Sequence, residues 1–282
     1  MVSGLEQLSV NLSHGGEQRV CRHASSSTGT DMVFSAFIPP HQQGQRLPVL
    51  IYLSGLTCTH ANVTEKGEYR AACARHGIIF IAPDTSPRGD DVPDDPDGAY
   101  DFGLGAGFYV NATQSPFDRH YHMRRYIEDE LPELIAAHIP QADISRMGLT
   151  GHSMGGHGAL TIGLRNPDRF SSVSAIAPIC SPIKCNWGQK ALTGYLGPDQ
   201  KAWRSYDACA LIQDGHRLPD ILVDQGEADD FLDSQLKPDL LEAACQQAEQ
   251  PLTLRRHSGY DHSYYFISTV LPDHVAWHAE RL

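Results

Sequence analysis

Residues 146–165 read RMGLTGHSMGGHGALTIGLR. An apolar run closes on Gly151, a serine follows two positions later, and a second apolar stretch starts directly behind it. The left flank has the character of a strand end and the right flank that of a helix start. G-x-S-x-G at such a junction, here Gly151 to Gly155, describes a nucleophile elbow. The chain turns so sharply that the serine is held in a strained conformation, and the small residues let strand and helix pass close together. The same pattern also occurs as a plain turn, so the rest of the chain has to decide.

Working outward, residues 17–40 read as early strands with a turn between them. LPVLIYLSG (47–55) and GIIFIAPD (77–84) are continuous apolar runs, as expected of strands buried on both faces. A helical stretch is expected at 62–75, and the Asp-, Pro- and Gly-rich segment 84–107 reads as an irregular connection. Residues 119–138 have helical periodicity, with Pro132 expected to bend or split the helix. After the elbow come a strand at 171–178, a long loop at 179–205, a strand at 220–226 and a helix at 234–247. A strand at 252–257 and a helix at 264–281 close the chain. Strands alternating with helices predict an α/β fold with a mostly parallel central sheet and helices on both faces. No linker or repeat divides the sequence, so one domain over 1–282 is expected.

Bulk properties narrow the function. The 282 residues are 41% hydrophobic, enough for a large core, and carry a net charge of −12 from 22 basic and 34 acidic side chains. Such a surface repels nucleic acid and anionic lipid. The N-terminal residues lack the pattern of a signal peptide, and no apolar run approaches the roughly 20 residues of a membrane span. A cytoplasmic protein is therefore expected. The seven cysteines show no CxxC pair or framework spacing and are expected to be free thiols.

A serine hydroxyl is a poor nucleophile near neutral pH and needs a base, a group that orients the base, and N–H donors for the oxyanion. DILVDQGEADDFL (220–232) offers Asp224 within a strand, and Asp229 and Asp230 in the loop beyond its end. HSGYDHSYYF (257–266) places His262 between a strand and a helix. The order Ser153, Asp229, His262 is that of α/β-hydrolases. The N–H of Met154 points toward the oxyanion, and the loop LSGLTC (53–58) supplies Leu56 as the second donor. Other signals carry less. His274 and His278 are spaced i, i+4 but lack a third ligand, so an exposed helix face is expected rather than a metal site. The acidic run at 90–97 reads as a solvated loop, and Gly103, Gly105 and Gly107 do not form a dinucleotide fingerprint. Trp187 and Tyr195 are candidates for the wall of the pocket. Cys58, beside the expected oxyanion donor, is either an apolar filler or a thiol whose oxidation or alkylation blocks the site.

Together, LSGLTCT, IAPDTSPRG, GAGFYVNAT, GHSMGGHGAL, SAIAPI, GYLG, DQGEADDFL and GYDHSYYF, in this order, span nearly the whole chain. The set resembles the S-formylglutathione hydrolases, the esterase D family of α/β-hydrolases. The resemblance implies Ser153 as nucleophile, His262 as base and Asp229 as acid, with the N–H groups of Leu56 and Met154 as oxyanion donors. It further implies hydrolysis of S-formylglutathione to glutathione and formate in formaldehyde detoxification, without a cofactor, by a cytoplasmic protein that is commonly a homodimer. Glutathione carries net negative charge, so a local positive patch is needed, and Lys184 and Lys190 are near the expected pocket in sequence.

Overall fold

The computed structural model describes residues 4–282. Its strands are β1 (Leu5–Ser13), β2 (Gly16–Ala24), β3 (Asp31–Ile38), β4 (Leu47–Leu53), β5 (Ile79–Pro83), β6 (Ala142–Gly151), β7 (Phe170–Ile176), β8 (Ile221–Gly226) and β9 (Leu252–His257). They form one sheet in the order β1-β2-β3-β5-β4-β6-β7-β8-β9. β1, β2, β3 and β5 pair antiparallel; from β5 onward every pairing is parallel. The helices are α1 (His60–Lys66), α2 (Arg70–His76), α3 (Met123–Arg125), α4 (Leu131–His138), α5 (Met154–Arg165), α6 (Asn186–Leu196), α7 (Gln200–Trp203), α8 (Ala208–Gln213), α9 (Pro238–Gln247) and α10 (Tyr264–Ala279).

The sheet is covered on both faces, and β7 shows how the sequence encodes this. A Cβ placed on Gly163 of α5 would run into Val173, so that side chain meets α5 at close range. Its neighbours Ser172 and Ser174 point the other way and hydrogen bond to His278 of α10. Successive strand side chains alternate between faces, and here each face has its own helix. The result is the α/β-hydrolase architecture, with the elbow at the C-terminal edge of the parallel strands.

Several expectations change. Residues 5–13, unassigned from sequence, form the outermost strand; most of its side chains are exposed, the alternating Leu8, Val10 and Leu12 among them. It joins β2 through His14 and Gly15, both at positive φ, as a two-residue hairpin requires. The helix expected at 62–75 is two helices, with Gly67 ending the first. Ahead of Pro132 the helix widens into a π-turn, Tyr126–Glu130. Proline has no N–H to give the Glu128 carbonyl, and the Arg169 guanidinium donates to that carbonyl instead. The loop expected at 179–205 contains α6 and α7. Its glycines are close-packing positions: a Cβ on Gly188 would meet Pro182, and one on Gly194 would meet the Phe102 ring.

Candidate active site

The elbow is built by backbone contacts. Ser153 follows β6 at φ 58 and ψ −119, a region unfavourable for a residue with a side chain, with a cost of roughly 1–3 kcal/mol. Its N–H donates to Ile176 O at 3.0 Å, and its carbonyl accepts from His157 N at 3.0 Å, which locks the turn between β7 and the first turn of α5. A Cβ on Gly155 would drive into the Leu53 carbonyl, and one on Gly151 into the Gly155 carbonyl. Only glycine permits the helix to start this close to β4 and β6.

Three side chains distant in sequence meet here. His262 Nδ1 lies 2.5 Å from Asp229 Oδ2, and His262 Nε2 lies 2.9 Å from Ser153 Oγ. A carboxylate only accepts, so Nδ1 carries the proton and Nε2 accepts from the Ser153 hydroxyl. Asp229 is held in turn: Phe231 N donates to its Oδ1 at 2.9 Å, and Gln225 Nε2 reaches its Oδ2 at 3.4 Å. Its side chain is fully buried, whereas Asp230 is exposed. The loops carrying Asp229 and His262 are tied by two backbone bonds, Glu227 N to His257 O and Ala228 N to Tyr260 O, both 2.9 Å.

Ser153 and His262 border a cavity of about 310 Å³, walled by Leu56, Cys58, Tyr100, Trp187, Phe231 and Tyr264 among others. No Lys, Arg, Asp or Glu lines it. A Cβ on Gly55 would sit 3.1 Å from Ser153 Cβ, so the loop carrying Leu56 passes directly beside the serine. Among the described residues, the N–H groups of Leu56 and Met154 have no hydrogen-bond acceptor. Trp187 packs on Phe231 at 4.7 Å between ring centroids, and Phe231 presents its edge to His262 at 5.2 Å. His152 lies 4.4 Å from the His262 ring; burial, and then the neighbouring imidazole, hold its own pKa well below the usual histidine value. Burial also raises the Cys58 thiol above its ordinary value.

The sequence missed Tyr100, Phe231 and Tyr264 as wall residues; Phe231 and Tyr264 were signalled only by lying two residues from Asp229 and His262, and Tyr100 had no signal. Tyr195 does not reach the cavity. It is buried, and its hydroxyl donates to Ala106 O at 2.9 Å. Lys190 is paired with Asp95 at 2.8 Å and Asp101 at 2.6 Å, so Asp95 is a buried partner rather than part of a solvated run.

The expected exposed face at His274 and His278 is overturned: both are fully buried. His274 Nε2 donates to Asp224 Oδ2 at 3.0 Å, and its Nδ1 lies 2.7 Å from Ser174 Oγ. His278 bridges Ser174 Oγ at 2.8 Å and Ser172 Oγ at 2.6 Å. Arg255 makes a two-pronged pair with Asp224, and His257 Nε2 donates to it at 3.1 Å. Burial alone would raise the Asp224 carboxyl; the hydrogen bonds from His274 and Arg255 outweigh it and hold the group well below the usual carboxylate range. Histidines on a helix become buried here because serines and an aspartate on the strands beneath supply their partners. Among the described residues, no group of three or more His, Cys, Asp or Glu is placed to hold a metal ion. No described helix is long and apolar enough to cross a membrane.

Residues 25–281 match the family model described as putative esterase. An S-formylglutathione hydrolase of Mus musculus is 49% identical over 281 residues, covering 99% of each chain. One from Arabidopsis thaliana is 48% identical over 284 residues, covering 100% of this chain and 99% of its own. The solved structure of an S-formylglutathione hydrolase from Agrobacterium tumefaciens superimposes with a TM-score of 0.96 at 52% identity, covering 98% of this chain and 99% of its own. The chain belongs to the S-formylglutathione hydrolase family. Membership makes it a serine hydrolase, and the S-formylglutathione hydrolase relatives match it through both loops that meet at Ser153.

Proposed function

We propose that this chain hydrolyses S-formylglutathione to glutathione and formate, with Ser153 as nucleophile, His262 as general base and then acid, and Asp229 as the group that orients the imidazole. The observation that carries this reading is His262 spanning Ser153 Oγ and Asp229 Oδ2 within hydrogen-bond distance of both, at the mouth of a cavity. Ser153 Oγ attacks the formyl carbon as its proton passes to His262 Nε2. The oxyanion rests on the N–H groups of Leu56 and Met154, each worth roughly 3–4 kcal/mol of barrier. The C–S bond breaks, and His262 returns the proton to the departing sulfur. Water then attacks the formyl ester with His262 as base, formate leaves, and Ser153 recovers its proton. Asp229 keeps Nδ1 protonated and stabilises the imidazolium. Thiolate is a good leaving group, so little acid assistance is needed. Comparing kcat/KM for S-formylglutathione with that for p-nitrophenyl acetate tests the reading; a preference for the simple ester overturns it.

One observation favours a second reading, a general short-chain carboxylesterase: the apolar cavity of about 310 Å³ exceeds what a formyl group fills. A panel of p-nitrophenyl esters of rising chain length decides this. The same proposal takes the chain as a single catalytic domain that is cytoplasmic and homodimeric. The exposed Leu8, Val10 and Leu12 on edge strand β1 support a self-associating face. A monomeric mass in sedimentation at micromolar concentration removes that part.

A further inference from the structure

The catalytic cavity poses a charge problem. Its wall contains no Lys or Arg, yet a glutathione thioester carries two carboxylates and one ammonium. The cavity is suited to the acyl group and the sulfur, so the charged ends of the tripeptide must lie beyond it. Lined by residues that directly follow Phe231 and by one that shortly precedes Trp187 is a second depression of about 450 Å³, within the usual size range of ligand sites. The two are neighbours along the chain at both walls. Phe231 lines the first and Leu232 the second; Trp187 lines the first and Lys184, three residues earlier, the second. Trp187 N donates to Gln235 Oε1 at 3.1 Å, which fastens the start of α6 to the segment carrying Phe231 and Leu232.

The second depression contains Lys184, Lys237, Arg256, Asp233 and Asp239. Arg256 is occupied by Asp239 at 2.7 Å and by Glu242 at 2.9 Å. Neither Lys184 nor Lys237 has a carboxylate partner among the described residues; Lys237 Nζ donates to a backbone carbonyl, Asp233 O, at 2.8 Å. Among the described residues about half of the Lys and Arg side chains sit in ion pairs; Lys184 and Lys237 do not, and they share one concavity. The Asp233 carboxylate is exposed and in no ion pair among the described residues. Two free cations and one free anion match the charges of the tripeptide.

We infer that Lys184 and Lys237 form the subsite that takes the glutathione carboxylates, with Asp233 facing the ammonium, while Trp187 and Phe231 line the acyl cavity. The inference rests on the thioesterase reading above. It makes the positive patch local and leaves Lys190, engaged by Asp95 and Asp101, outside it.

The test uses the full chain with two substrates. In the Lys184→Glu/Lys237→Glu variant, KM for S-formylglutathione rises by about tenfold or more with kcat nearly unchanged, the signature of lost uniform binding. The kcat/KM for p-nitrophenyl acetate, which lacks the tripeptide, stays within about twofold and reports that fold and triad are intact. The Lys184→Arg/Lys237→Arg variant keeps the parent KM. Raising salt increases the parent's KM for the thioester but not that of the double Glu variant. Unchanged KM for both substrates, or parallel loss on both, overturns the subsite. A parent enzyme that prefers the simple ester overturns the thioesterase reading itself, a result separable from the first two.

Discussion

Among the described residues there are two Ser-His-Asp sets. At the sheet edge, His262 lies 2.9 Å from Ser153 Oγ and 2.5 Å from Asp229 Oδ2. Under α10, His274 lies 2.7 Å from Ser174 Oγ and 3.0 Å from Asp224 Oδ2. Residue types and distances are alike; surroundings are not. Ser153 sits at positive φ on a glycine-flanked turn beside a cavity, with two uncommitted N–H groups nearby. Ser174 lies in the middle of β7, has no exposure, and is also bonded to Thr150 and His278. A hydroxyl whose hydrogen-bonding capacity is filled, and which no substrate can reach, is a packing element whatever its neighbours. Hydrogen-bond distance alone therefore does not distinguish chemistry from architecture; strain, free donors and access do.

The sharpest way to break this contrast is Ser153→Ala, which is expected to lower kcat by about 10⁵–10⁶-fold while leaving thermal stability within a few degrees. Retained turnover would move the nucleophile elsewhere. Asp229→Asn comes next, with a loss in kcat of roughly 10⁴-fold, because the amide no longer fixes the tautomer or balances the imidazolium. If Asp230→Asn gives the larger loss, the acid is misassigned.

The inner set should respond in stability instead. Asp224→Asn leaves Arg255 with only the exposed Asp273 as an ion-pair partner, and since Arg255 is itself about a third exposed, the expected cost is roughly 2–4 kcal/mol, toward the lower side of a fully buried pair. Because the folded pKa of Asp224 lies below its unfolded value, its contribution is complete above about pH 4 and drains away as pH falls through the folded value. Chemical denaturation should show a constant gap between parent and variant from about pH 5 to 8 that narrows below about pH 4. A gap that persists unchanged in acid would deny Asp224 its charge. The smallest effect belongs to Cys58. Its thiol is raised by burial, so at pH 7 iodoacetamide should inactivate the enzyme several-fold more slowly than it consumes free glutathione, speeding up as pH climbs. Cys58→Ser should then resist the reagent; equal loss in parent and variant places the sensitive thiol elsewhere.

The outer set was more legible in the sequence than the inner one, for physical reasons. Gly151, Ser153 and Gly155 are fixed by local backbone demands, and local demands leave local patterns. Asp229 follows β8, whose apolar run is plain, while His262 follows the mostly polar β9 and is marked instead by its place between a strand and a helix. Buried His274 and His278 depend on Ser172, Ser174 and Asp224, about 50 to 106 residues away, and nothing near them in sequence reveals those partners. The same holds for α6: Gly188 and Gly194 look like loop residues until Pro182 and Phe102 are seen pressing on them. Strand β1 went unread although Leu8, Val10 and Leu12 alternate with polar residues; that apolar row is exposed rather than packed on the core.

The backbone ties between the loops that carry Asp229 and His262 have a mechanical corollary. Asp229 and His262 ride on one stapled platform, which fixes the distance between them independently of Ser153. Ser153 is anchored by a different set of backbone bonds, to β7 and α5, so the triad is assembled from two separately braced parts. A longer connection in either loop would need a matching change in the other to keep the platform whole.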